Sequence, residues 1–153
     1  MRDGELLKVK KLICESLKRK RESYEALKTE QFSEKEAEWL RKTFVGLIDL
    51  VYKKKTYVSY EELAIHANKL FPNYPLPTRG GTLAQNLGRV LGELSLISWC
   101  VEEFLISVAV VNKAFKTQGK GFEKLVIILG ADLNEKNRWF EKVKEIAEFL
   151  EGG

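Results

Sequence analysis

The chain has 153 residues, of which 44% are hydrophobic and 31% charged, the composition of one folded globular domain. Its longest apolar run is too short to cross a bilayer. Its single histidine disfavours His-rich nuclease sites, and its two cysteines lack the spacing of zinc ligands. We therefore expect a cytoplasmic protein with reduced cysteines that is not an enzyme and needs no metal, cofactor or membrane. A surface rich in Lys and Glu, with Met1 as the sole methionine, favours a thermophilic source.

Residues 1–32 are predicted to form an amphipathic helix. Apolar residues recur there at spacings of three, four and seven, which places them on one stripe: Leu6, Ile13, Leu17, Tyr24 and Leu27. Because this stripe has nothing to cover within its own helix, we expect it to mediate self-association into a dimer or tetramer. The remaining residues, 33–153, are predicted to form the binding domain.

Two capping boxes mark the next helices. Ser33 with Glu36 predicts a helix that runs to about Tyr52, and Ser59 with Glu62 predicts a third helix. In each pair the hydroxyl and the carboxylate satisfy backbone N–H groups that the first turn leaves without partners.

The three prolines of the chain cluster in residues 72–77 and predict a stiff connector after the third helix. Pro72 ends that helix near Phe71. Thr82 is expected to cap a fourth helix, with Leu83, Leu87 and later apolar residues at helical spacing. Helix, connector and helix together suggest a unit like a helix-turn-helix.

The last third of the chain is predicted to contain a small antiparallel sheet. The runs Phe104–Val111 and Phe122–Leu129 are rich in β-branched residues, and a Lys/Gly segment separates them. Residues 134–150 form a final helix that closes over the sheet. The fold class expected is α+β, mostly helical.

The predicted hairpin contains the first candidate binding residues. Residues 104–122 include Lys113, Lys116 and Lys120 and no carboxylate, with Phe115 and Phe122 among the lysines. Lysines on a hairpin can contact phosphates, and neighbouring aromatic rings can stack on bases. The alternative is that both phenylalanines are core residues at the ends of strands.

Four further candidates lie on the fourth helix or close to its start. Arg79 precedes two glycines at its start, where backbone N–H groups favour one phosphate, although an ordinary turn explains the same residues. Arg89 lies about two turns into the helix, while Tyr74 and Trp99 lie near its two ends. These residues are expected to line one cleft with the hairpin lysines.

The segments Leu96–Cys100 and Ile106–Lys113, followed by the sequence GKGF at residues 119–122, resemble a small module found beside restriction and HNH-type nucleases. The catalytic part of those proteins is missing here. Residues 33–150 resemble the thermophilic archaeal ThermoDBP family, whose members bind single-stranded DNA or RNA through a basic, aromatic-lined cleft. That resemblance implies assembly through helical segments, although the family's founder has its zipper at the carboxyl end.

The sequence therefore predicts a protein that binds single-stranded RNA or DNA with little sequence preference. One alternative is a duplex reader that places Gln85, Asn86 and Arg89 in the major groove. The other is an adaptor that binds protein through the amino-terminal stripe and has no affinity for nucleic acid.

Overall fold

A computed structural model describes residues 34–113 and 117–152, apart from the side chain of Lys120. The described elements are α1 (Glu34–Lys54), β1 (Val58–Ser59), α2 (Tyr60–Leu70), α3 (Gly80–Glu102), the 3₁₀ helix η1 (Ile106–Ala109), β2 (Val110–Val111), α4 (Lys120–Leu129), the 3₁₀ helix η2 (Leu133–Glu135) and α5 (Lys136–Gly152). The predicted amino-terminal helix and the Ser33 cap lie outside these residues.

Helix α1 contributes one face to the core. Its buried apolar side chains recur at helical spacing, with Leu40, Leu47, Ile48 and Val51 among them. This face packs against α2, α3 and α5, so α1 lies at the centre of the helical part. The predicted second helix is confirmed.

The capping box at the start of α2 is confirmed. The Ser59 hydroxyl accepts a hydrogen bond from the Glu62 N–H at 3.2 Å, and the Glu62 carboxylate accepts one from the Ser59 N–H at 2.9 Å. Burial raises the pKa of Glu62, but hydrogen bonds from Lys54 and Ser59 outweigh it, and the net pKa is lowered. The helix ends at Leu70, just before Pro72.

A buried lysine holds the proline-rich connector. The Lys42 side chain is completely buried, and its ammonium donates to Asn68 Oδ1 at 3.0 Å and to the carbonyls of Asn73 and Tyr74 at 3.1 and 3.2 Å. Asn68 in turn exchanges two hydrogen bonds with the backbone of Leu76. The ammonium is fully coordinated, and it fixes the path from α2 to α3.

The entry to α3 differs from the prediction in one respect. The helix begins at Gly80 after Arg79, and the Thr82 hydroxyl donates to the Arg79 carbonyl at 3.1 Å, so Thr82 does not cap the helix. The connection covers residues 71–79, which is longer than the roughly three- or four-residue turn of a helix-turn-helix. The helix-turn-helix-like unit stays a prediction.

The predicted antiparallel hairpin is wrong. Residues 120–129 form helix α4, because Phe122, Val126 and Leu129 are buried at spacings of four and three while Ile127 and Ile128 are exposed. Residues 106–109 form a 3₁₀ turn. The backbone of Ile106 and Ser107 donates to the buried hydroxyls of two α3 serines.

The sheet has two short strands that are parallel. Val58 pairs with Val110 and Ser59 with Val111. A parallel pair needs a long crossover, and here helices α2 and α3 supply it.

The closing helix α5 packs on α1 and on η1. Its Trp139 is 1% exposed and lies edge-on to Trp99 of α3 and to Phe122 of α4, at 6.3 and 6.2 Å between ring centroids. Phe140 stacks on Tyr57 at 4.2 Å. These aromatic contacts join the last three helices into one core.

Cys100 of α3 is disulfide-bonded, so the expectation of a reduced thiol is wrong for this residue. Within residues 34–113 and 117–152, no helix is long and apolar enough to cross a membrane.

Replacing Lys42 with Met should destabilise the protein, because the Asn73 carbonyl loses its donor within the described chain, whereas Asn68 Oδ1 and the Tyr74 carbonyl still accept from the Leu76 N–H and the Trp39 indole N–H. A buried acceptor that loses its partner costs about 1–3 kcal/mol. Urea unfolding measures the change. Lys69→Met, at an exposed position of α2, should shift the unfolding free energy by no more than about 0.5 kcal/mol. Equal effects of the two substitutions would contradict the assigned role of Lys42.

Replacing Glu62 with Gln should destabilise the protein in a pH-dependent way. The pKa of Glu62 is lowered below 4.5 in the folded protein. Its charge therefore stabilises the fold above pH 4.5, and this stabilisation is lost as the pH falls through the folded pKa. We expect a deficit of up to about 1 kcal/mol at pH 7 that shrinks toward pH 3. Glu61→Gln, next to it and exposed, is the control. A deficit that is constant from pH 7 to pH 3 would refute the linkage.

Candidate functional site

A cavity with a volume of ≈440 Å³ lies between α3 and α4. We call it the α3–α4 cleft. This size falls within the range of about 300–1,000 Å³ typical of ligand pockets. The described residues that line it are Tyr60, Ala84, Gln85, Gly88, Arg89, Leu91, Gly92, Ser107, Asn112, Gly119, Gly121, Phe122 and Leu125.

One wall of the cleft is a face of α3. Gln85, Gly88 and Gly92 follow one another at spacings of three and four, so they share this face with Arg89 beside them. A Cβ added at Gly88 or Gly92 would meet no atom within 4 Å. The glycines thus leave open space next to the helix backbone.

The cleft lining also includes apolar side chains. They are Leu91 of α3 and Phe122 and Leu125 of α4. Tyr60 and Gly119 lie next to each other in the lining, since a Cβ built on Gly119 would be 3.0 Å from the Tyr60 hydroxyl. Burial raises the pKa of Tyr60, and the Gly119 contact only partly opposes this, so the hydroxyl stays neutral at ordinary pH.

Arg89 is the one charged side chain among the described residues that line the cleft, and no carboxylate is found among them. Within the described chain its guanidinium makes no salt bridge. Arg89 also borders a smaller groove of ≈150 Å³ between α1 and α3, where Glu36 and Glu93 supply carboxylates. An anion is therefore favoured in the α3–α4 cleft over the smaller groove.

Lys113 is not among the lining residues. It is exposed and follows Asn112, a lining residue whose N–H donates to the Thr117 carbonyl at 2.8 Å. The predicted binding residues Phe115 and Lys116 lie outside the described chain, and Lys120 is the first residue of α4.

Two predicted aromatic residues are core residues. Trp99 and Phe122 are 8% and 7% exposed, and both pack edge-on against Trp139. Phe122 forms part of the apolar wall of the cleft, whereas Trp99 does not line it. Neither ring presents an open face on which a base could stack.

Tyr74 and Arg79 do not line the cleft. Tyr74 is 43% exposed in the proline-rich connector, and its hydroxyl donates to Glu34 at 2.8 Å. This bond to the Glu34 carboxylate is the main reason that the pKa of Tyr74 is raised. Arg79 precedes α3 and lies about 15 Å from Arg89 along the helix axis, since the two are ten positions apart.

Sequence reasoning missed Tyr60, Asn112 and the glycines of the cleft. Gly88 and Gly92 did offer a signal, because glycine inside a helix costs about 1 kcal/mol relative to alanine and so implies a local reason. Nothing near Tyr60 or Asn112 in the sequence distinguishes them from ordinary surface residues.

Two hydroxyl groups belong to the described lining. The Ser107 hydroxyl is buried and hydrogen-bonded to Ser95 at 2.5 Å, and the Tyr60 hydroxyl lies against Gly119. The single histidine, His66, lies 2.5 Å from the Asp49 carboxylate and does not line the cleft. What the described lining offers a ligand is a cation, amides, apolar surface and exposed helix backbone.

No family model, curated protein or solved structure matches this chain. The resemblance to the ThermoDBP family therefore stays a prediction.

Replacing Phe122 with Ala tests whether the ring is part of the core. Because Phe122 is buried against Trp139, we expect a loss of about 3–5 kcal/mol in the free energy of unfolding. Tyr74→Phe, which removes only an exposed hydroxyl, should stay within about 0.5 kcal/mol. Chemical unfolding of both variants measures the difference. A Phe122→Ala variant as stable as the starting protein would show that the ring does not support the core.

Proposed function

We propose that the protein binds single-stranded RNA or DNA with little sequence preference, and that the α3–α4 cleft is the binding site. The observation that supports this best is Arg89, a guanidinium without a salt bridge in the described chain, on the wall of a cleft in which the described lining has no carboxylate. Arginine presents several N–H donors in a planar fork that matches phosphate oxygens.

The proposed phosphate contacts extend from the cleft in two directions. Lys113 follows the lining residue Asn112 and provides a second cation at the rim. Arg79, at the start of α3, is a third contact for a strand that leaves the cleft along the helix. Cations spaced in this way neutralise the backbone of an extended strand and do not read its bases.

A single strand fits this arrangement better than a duplex. In a duplex reader the recognition helix projects into the major groove, which is about 12 Å wide. Here Gln85 and Arg89 face a cleft whose other wall is α4. Asn86, the third residue expected to contact bases, donates its amide to the Thr82 carbonyl at 2.8 Å. A flexible strand can enter such a cleft, whereas a rigid double helix is excluded by the second wall.

Replacing Arg89 or Lys113 with Ala should weaken binding in a salt-dependent way. Fluorescence anisotropy with labelled oligothymidylate at several salt concentrations gives the affinity and its salt slope. Removing one cation that binds a phosphate should lower the magnitude of that slope by up to about 0.7, because fewer counterions are released. A double-stranded oligonucleotide of the same length should compete poorly.

Lys69→Ala is the matched control, because Lys69 is exposed at the far end of α2 and lines neither the cleft nor the smaller groove. It should bind as the unmodified protein does. Binding that does not depend on salt, or an Arg89→Ala variant with unchanged affinity and slope, would reject the proposed site.

A further inference from the structure

The lining of the α3–α4 cleft includes apolar residues that a phosphate site does not require. Phosphates bind at the rim to Arg89 and Lys113, but the interior continues between Leu91, Phe122 and Leu125. An apolar interior is unfavourable for a phosphate, because the charge would lose its hydration without a compensating partner. The same surface favours a flat, weakly hydrated ring.

Space for such a ring exists next to the backbone of α3. Gly88 and Gly92 lie one turn apart on the wall, and no atom is found within 4 Å of a Cβ built on either. Glycine lowers helix stability relative to nearly every other residue, and at these positions no close packing against the described residues requires it. Any larger side chain would extend into the ≈440 Å³ of the cleft.

The cleft lining also contains a polar group that suits the edge of a ring. It is the amide of Gln85, which has both a donor and an acceptor. An amide that can donate or accept pairs with the edge of any base. Such contacts orient a base without selecting one.

We propose that the α3–α4 cleft takes one unstacked nucleobase of the bound strand, which inserts between the two helices against Gly88 and Gly92. This inference rests on the proposed function, and it adds that a base is the part of the ligand that enters the cleft. Arg89 at the wall then contacts the phosphate next to the inserted base. Recognition by insertion also accounts for the burial of Trp99 and Phe122, since the base needs no exposed aromatic ring on which to stack.

The first test compares two ligands that carry the same phosphates. One is labelled oligothymidylate, and the other is an oligomer of equal length made of abasic tetrahydrofuran units. If a base enters the cleft, the abasic oligomer should bind roughly tenfold or more weakly, consistent with the contribution of one base contact. Equal affinities would overturn base insertion and leave the phosphate site standing. No binding of either oligomer would overturn both proposals.

The second test fills the cleft from the protein side. Gly92→Leu should reduce affinity for oligothymidylate at least tenfold, with a salt slope close to that of the unmodified protein, because Arg89 and Lys113 remain. The melting temperature should not fall, since leucine favours helix more than glycine and the added side chain enters open space. The binding of the abasic oligomer should change little.

Asn137→Leu is the matched control. Asn137 is an exposed, uncharged residue of α5 that lines neither the cleft nor the smaller groove. This variant should bind both oligomers as the unmodified protein does. A folded Gly92→Leu variant that binds oligothymidylate at full affinity would overturn the inference.

Discussion

The packing of Trp139 between α3 and α4 sets the geometry on which the cleft depends. Its indole is buried and meets Trp99 and Phe122 edge-on, and such ring pairs contribute about 0.5–1.5 kcal/mol beyond the area they bury. The indole N–H is buried, with no acceptor in the described chain, so this packing also offsets an unsatisfied donor. These contacts hold the later part of α3 and the first turn of α4 against α5. The cleft opens beside them, over Gly88 and Gly92.

The helices with caps or regular apolar stripes were predictable from the sequence, because their signals are local. The Ser59 capping box is one example, since its two partners are three residues apart and act within one turn. The run from Phe122 to Leu129 was not predictable in this way. Its β-branched residues favour a strand, but burial at spacings of four and three selects a helix, and packing against residues far along the chain, such as Trp139, decides between the two.

The candidate site was predictable in part. Arg89 and Lys113 were proposed from the sequence. Arg89 lines the cleft, and Lys113 follows the lining residue Asn112. The expected stacking rings could not be assigned, because an aromatic residue in a core and one on a binding surface have the same sequence signature. Asn112 and Tyr60 reach the cleft only through the parallel pairing of β1 with β2, which joins segments about fifty residues apart.

The proposed site separates two parts of nucleic-acid binding that other single-strand binders combine on one surface. The cations at the rim act through charge, so their contribution falls as salt rises. The apolar and glycine-lined interior acts through shape and burial, which salt affects little. A modest net charge of +4 is then sufficient, because the cations are needed only to bring the strand to the cleft and the base supplies the remaining contact. On this reasoning, the affinity that remains at high salt measures the contribution of the cleft interior. The slope of the affinity with salt measures the contribution of the cations at the rim.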